Sequence, residues 1–163
     1  MKTLLIVYHS VTGGTAQLAR ATAVGAASDP ALLVRMLQAP DAHVEHVLAA
    51  DGYVFAAPEN LASMSGLMKD FFDRCYYGAL DRINGRAYAT LVCAGSDGSN
   101  AARQIERIAT GWRLKSVAPA LIVCTHAQTP EEIGRAKHIG IEDLKRCEEL
   151  GAALAAGLVL GIY

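Results

Sequence analysis

The 163-residue chain reads as an α/β domain, a three-layer sandwich with five parallel strands in the order 2-1-3-4-5 between helices. Three observations predict it. Short apolar runs alternate with amphipathic ones along the whole length, the pattern of parallel strands joined by helical crossovers. Hydrophobic residues make up 52% of the chain and many are alanine, which suits strands covered on both faces. Arg35 interrupts the second strand-like run and Pro119 the fifth, so those two strands belong at the sheet edges.

Taken in order, residues 4–8 form the first strand, and a hydroxyl- and glycine-rich turn leads into an alanine-rich helix over 16–27. Ser28-Asp29-Pro30 turns the chain into a second strand over 31–36, after which Asp41 can cap a short helix over 42–49. Asp51-Gly52 opens a third strand over 53–57, predicted to stop at Pro58 and leave 58–65 as a loop. The next helix sets Leu67, Met68, Phe71, Phe72 and Cys75 on one broad face and ends at Tyr76-Tyr77. Asn84-Gly85 turns into a fourth strand over 87–94. A helix with Ala101, Ile105 and Ile108 on its stripe follows and ends near Gly111, with Trp112 packed against it. The fifth strand covers 116–125, with Pro119 forcing an edge position or a bulge. Thr129-Pro130-Glu131-Glu132 reads as a capped helix start. A last helix begins near Ile141, with Ile141, Leu144, Cys147, Leu154 and Leu158 on one side. No linker, repeat or low-complexity tract divides the chain, so residues 1–163 are expected to form one domain.

The predicted strand order reverses between strands one and three. Ligands of open α/β sheets bind at that switch point, beyond the carboxyl ends of the strands. Loops beginning at Ser10, Pro58 and Gly95 should therefore converge on one crevice. The first, Ser10-Val11-Thr12-Gly13-Gly14-Thr15, joins a strand to a helix N-terminus, where free amides and the helix dipole favour an anion. It lacks the Lys–Ser/Thr pair of a P-loop and the Gly-x-Gly-x-x-Gly of a dinucleotide fingerprint. No Lys or Arg lies between Thr3 and Leu18, so the expectation is a cation-free cradle for a terminal phosphate monoester. A receiver domain of the same strand order would need acidic residues after strand one, and none is there.

Residues 6–15 resemble the first-strand phosphate loop of the flavodoxin-like family, with Ser10, Thr12 and Thr15 at its hydroxyl positions. The resemblance implies FMN as ligand. Ala57-Pro58 followed by Glu59, Asn60, Leu61, Ala62, Ser63 and Met64 looks like the flavin loop of NAD(P)H-dependent reductases of this fold, including quinone reductases. Glu59 and Leu61 stand where those enzymes more often have a hydroxyl residue and an aromatic. Gly95, Ser96, Asp97 and Gly98 match the family's second ring-binding loop, where small residues let backbone approach a flat ligand. By the resemblance, hydride passes from NADPH or NADH to flavin N5 and on to a quinone, flavin or similar small acceptor. The flavin carries that chemistry, so no protein residue is nominated as catalytic. Glu59 is expected beside the isoalloxazine. The insertion of the tetrameric quinone reductases is missing.

Lys+Arg 15 against Asp+Glu 16 gives a net charge of −1, which points to neither nucleic acid nor membrane as a partner. It also argues against a strongly acidic one-electron carrier, as does the lack of ring-stacking aromatics in the loop over 58–64. That carrier and a flavin-binding protein without turnover are the alternatives. Cys75, Cys93, Cys124 and Cys147 have no C-x-x-C spacing and read as reduced thiols, with no metal site. No signal peptide or membrane span is evident, so a cytoplasmic location is expected. A homodimer and contacts of His9, His126, Tyr76 or Tyr77 with the flavin stay open.

Overall fold

The computed structural model describes all residues, Met1 to Tyr163. The elements are β1 (Lys2–Tyr8), α1 (Gly14–Ala26), β2 (Leu32–Gln38), α2 (Val44–Ala49), β3 (Gly52–Asn60), β4 (Ser63–Met64) and α3 (Gly66–Ala79). After them come β5 (Ala87–Ala94), α4 (Ser99–Gly111), β6 (Lys115–Ser116), β7 (Leu121–Cys124), α5 (Pro130–Gly134) and α6 (Ile141–Val159). The sheet runs β2-β1-β3-β5, and both β6 and β7 pair with the outer side of β5. All these pairings are parallel, so the order read from the sequence stands, with the fifth strand in two pieces. Pro119 lies in the gap between β6 and β7, where it has no ladder hydrogen bond to donate.

The two faces of the sheet are packed differently. Under α2, α3 and α4 lies an aromatic cluster in which Phe55 is 5.0 Å from Phe72 and 6.3 Å from Trp112, ring centre to ring centre. Trp112 is buried at the end of α4, as its position after Gly111 suggested. The opposite face is covered by α1 and α6 with alanine, leucine and glycine. There the helices touch backbone to backbone: a Cβ at Gly151 would collide with the carbonyl of Thr22, and one at Gly25 with that of Glu148. Cys75, Cys93 and Cys147 are buried free thiols, and Cys124 is half-buried.

Four local expectations are corrected. The chain at 39–41 is a 3₁₀ turn, and α2 begins only at Val44, with the His43 amide donating to His46 Nδ1 at 3.0 Å. Leu67 and Ile141, each in the first turn of its helix, are exposed, whereas Met68 beside Leu67 is fully buried. β3 does not stop at Pro58 but continues to Asn60, and 58–65 is not an open loop. Leu61 and Ala62 form a two-residue turn with φ of 51° and 60°, and Ser63–Met64 returns antiparallel, Met64 opposite Glu59.

Candidate functional site

The carboxyl ends of β1, β3, β5 and β7 open into one cavity of about 350 Å³. Ser10, Val11, Thr12, Gly14 and Thr15 form one side, and Pro58, Glu59 and Asn60 another. Cys93, Ala94, Gly95, Thr125 and Ala127 make the floor, and Ile133, Gly134 and Lys137 close the remaining side. The three loops singled out from the sequence thus do meet at the switch point.

The anion loop is built to leave donors free. Gly13 adopts φ of 90°, a left-handed turn that ends the loop and starts α1. Ser10 Oγ accepts from the Gly13 amide at 3.1 Å and fixes the turn. The amides of Gly14, Thr15 and Ala16 have no hydrogen-bond partner within the chain. Thr15 is 1% exposed, and its buried hydroxyl also has no partner. A buried hydroxyl unpaired at a helix N-terminus fits an anionic oxygen from a ligand. A Cβ at Gly14 would come within 2.6 Å of Cys93 Sγ, so only glycine lets the loop lie this close to β5. These donors fit the phosphate of FMN.

The hairpin β3–β4 has the opposite character. Glu59 reaches the N-terminus of α4, Oε1 accepting from the Gly98 amide at 2.9 Å and Oε2 from the Ala101 amide at 3.0 Å. Gln104 Oε1 accepts from Ser63 Oγ at 3.0 Å and from the Met64 amide at 2.8 Å. Asn100 Nδ2 donates to the Ala62 carbonyl. Asp97 caps its own turn through the Ser99 amide and hydroxyl. Glu59 therefore borders the cavity while its carboxylate is committed to α4.

Several residues expected around a ligand lie outside the cavity wall. Met64 is buried in the aromatic core, Ser63 faces Gln104, and Leu61 and Ala62 stand at the hairpin tip, because the segment folds back on itself. Gly13 is taken up by the turn, and Ser96, Asp97 and Gly98 form the cap of α4. His9, His126, Tyr76 and Tyr77 do not line the cavity either. His9 Nδ1 is buried without a partner, and burial lowers its pKa. Tyr77 projects from α3 at 84% exposure.

The cavity is not cation-free, as the local sequence implied. Lys137 arrives from the segment after α5, and its amide donates to the Thr12 carbonyl at 2.8 Å. Thr125 and Ala127, which follow β7, and Ile133 and Gly134 of α5 were likewise not foreseen. Cys93 and Ala94 are the other unforeseen wall residues, and the Cys93 thiol is pushed up to about 11 by burial, with Lys137 acting in the opposite direction. It is a neutral thiol near neutral pH.

No group of His, Cys, Asp and Glu side chains is arranged to hold a metal, and no helix is long and apolar enough to cross a membrane.

Comparisons with known proteins agree with the fold. A flavodoxin from Archaea superposes with a TM-score of 0.78 at 18% identity, covering 96% of this chain and 99% of that one. A WrbA-like flavodoxin from Agrobacterium tumefaciens gives 0.74 at 18% identity, covering 98% and 99%. Among curated proteins, a flavodoxin of Aquifex aeolicus is 33% identical over 98 residues, 60% of this chain and 53% of the relative. An NAD(P)H dehydrogenase (quinone) of Acidithiobacillus ferrooxidans is 30% identical across 45% of this chain and 47% of its own. The chain thus matches about half the length of these curated relatives. The model of the NADPH-dependent FMN reductase family matches residues 36–128, more than half of the chain. With the switch-point cavity and the parallel sheet, that match places the chain in the NADPH-dependent FMN reductase family, on a flavodoxin-like fold.

Proposed function

We propose that the protein is an FMN-containing oxidoreductase that passes hydride from NADPH or NADH to a quinone, flavin or similar small acceptor. When bound, FMN supplies the redox chemistry, accepting hydride at N5. The chain's own part is to bind and orient. The amides of Gly14, Thr15 and Ala16 and the hydroxyls of Ser10, Thr12 and Thr15 would hold the phosphate. Pro58, Glu59 and Asn60 on one side and Gly95 on the other border the way out of that cradle. Leu61, Ala62, Ser63 and Met64 of the hairpin, with Ser96, Asp97 and Gly98, are the segments proposed to flank the ring beyond it.

One observation carries the reductase reading: none of the sixteen residues lining the cavity is aromatic. The hairpin beside it ends in Leu61, which is fully exposed. An uncovered ring face leaves room for a nicotinamide to stack with its reacting carbon about 3–3.5 Å away, the separation that hydride transfer requires. The similarity to flavodoxins supports a second reading, a one-electron carrier.

Anaerobic mixing of the FMN-loaded protein with NADH and, separately, NADPH decides between them. The reductase reading expects one of the two to bleach the flavin absorbance within minutes. Bleaching by dithionite but by neither nucleotide would overturn the reductase reading.

A further inference from the structure

The segment 129–140 lies beyond the stretch matched by the family model and folds back onto the anion loop. The Lys137 amide donates to Thr12 O, and Gln17 of α1 bridges the same two segments. Gln17 Nε2 donates to Gly13 O at 3.0 Å and to Lys137 O at 2.7 Å, while its Oε1 accepts from the Ile139 amide at 3.1 Å. A Cβ at Gly14 would lie 3.5 and 3.6 Å from Lys137 Cβ and Cγ, so the lysine stem runs along the loop. Its Nζ donates to the carbonyls of Glu132, Ile133 and Arg135 at 2.8, 2.8 and 2.7 Å.

From this arrangement we infer that Lys137 is a specificity residue, the fixed positive charge by which the cavity selects a phosphorylated flavin over the unphosphorylated one. The inference rests on the FMN reading above. Three carbonyl oxygens gathered at the end of α5 are a concentration of partial negative charge beside an anion site. Without the ammonium, that side of the cavity would repel a phosphate dianion. With it, the same side carries a net positive charge held in place by three hydrogen bonds. All three ammonium hydrogens are taken, so Lys137 acts through its field rather than by a direct bond to the ligand. Lys137 is only half-buried, so this field is open to screening by salt. Gln17 and the Lys137 amide keep the charge in register with the loop.

Titrating the apo-protein with FMN and with riboflavin tests this, in wild type, Lys137→Met and Lys137→Arg. Lys137→Met should lower FMN affinity about 10-fold or more while leaving riboflavin binding nearly unchanged, and Lys137→Arg should keep most of the preference. Added KCl should weaken FMN binding to wild type more than to Lys137→Met. A preference for FMN that is equal in wild type and Lys137→Met overturns the inference, as does a parallel loss of both ligands in a variant with native circular dichroism. If Lys137→Met does not fold, wild-type FMN affinity that is indifferent to KCl overturns it instead. Equal binding of FMN and riboflavin by wild type is a different result, and it removes the phosphate reading itself.

Discussion

The two walls of the cavity face the same space and are finished in opposite ways. On the hairpin wall, the polar groups that tie β3–β4 to α4 are satisfied by the chain: Glu59 takes the Gly98 and Ala101 amides, and Gln104 takes Ser63 and Met64. On the anion wall, three consecutive amides at the start of α1 and a buried threonine hydroxyl have no partner in the chain. Unpaired buried groups cost stability, and a fold keeps them where a ligand completes them. The hairpin wall should therefore report on folding and the anion wall on ligand. A substitution on one should move stability with little effect on phosphate preference, and on the other the reverse.

The largest effect is expected at Glu59. Its carboxylate makes two charge-assisted hydrogen bonds to the N-terminus of a 13-residue helix. Glu59→Ala leaves both amides without that acceptor and should lower the unfolding free energy by about 2–3 kcal/mol. Urea unfolding of the apo-protein measures it. The FMN-to-riboflavin affinity ratio should stay as in wild type. A stable Glu59→Ala protein that has lost the ratio would put the carboxylate to work on the ligand, and the contrast between the walls would fail.

Thr15→Val probes the other wall with a change of nearly constant shape. The hydroxyl it removes is buried and unpaired, so apo stability should hold or rise slightly. FMN binding should weaken by about 2 kcal/mol, the worth of a hydrogen bond to a charged oxygen. Calorimetric titration with FMN and thermal unfolding of the apo-protein read the two effects separately. A loss of apo stability with unchanged FMN affinity would reverse the assignment.

How far the two walls were legible in the sequence follows from where their bonds run. Five of the six residues from Ser10 to Thr15 line the cavity, and the feature that makes this an anion site is local: a strand, a turn with Gly13 at positive φ, and a helix N-terminus. Contiguous residues carried the whole pattern. The strand order was legible too, because Arg35 and Pro119 marked the edges where β2 and the broken β6–β7 pair lie. The hairpin was hidden for a physical reason. Two-residue turns of this kind favour Asn-Gly, and this one is Leu61-Ala62, three residues beyond Pro58, which reads as a strand stop. Lys137 was hidden by distance. Its bond to Thr12 and its hold on Gln17 span some 120 residues, and no periodicity near Lys137 announces them.

The smallest expected effect is at the tip of the hairpin, where the satisfied wall has one local conflict. Leu61 has φ of 51° and its side chain is entirely in solvent. A branched aliphatic in the left-handed region is disfavoured, and full exposure gives it no burial in return. Asparagine adopts that conformation far more readily, so Leu61→Asn should raise apo stability by about 0.5–1 kcal/mol. The hydrogen bonds of Gln104 and Asn100 beneath the tip hold the turn in the same geometry for either residue. A residue that is strained, apolar and exposed beside a ligand cavity is explained if it contacts the ligand, because a bound flavin ring would give Leu61 the burial that the apo-protein denies it. Flavin affinity should then fall in Leu61→Asn by about 1 kcal/mol, and equally for FMN and riboflavin, since the contact is to the ring and not to the phosphate. That equality distinguishes the tip from the anion wall, where only FMN should respond. Paired urea unfolding and flavin titrations supply both numbers. If Leu61→Asn is more stable and binds both flavins as tightly as wild type, the tip has no part in the site, and the ring-binding surface must be sought nearer Pro58 and Gly95.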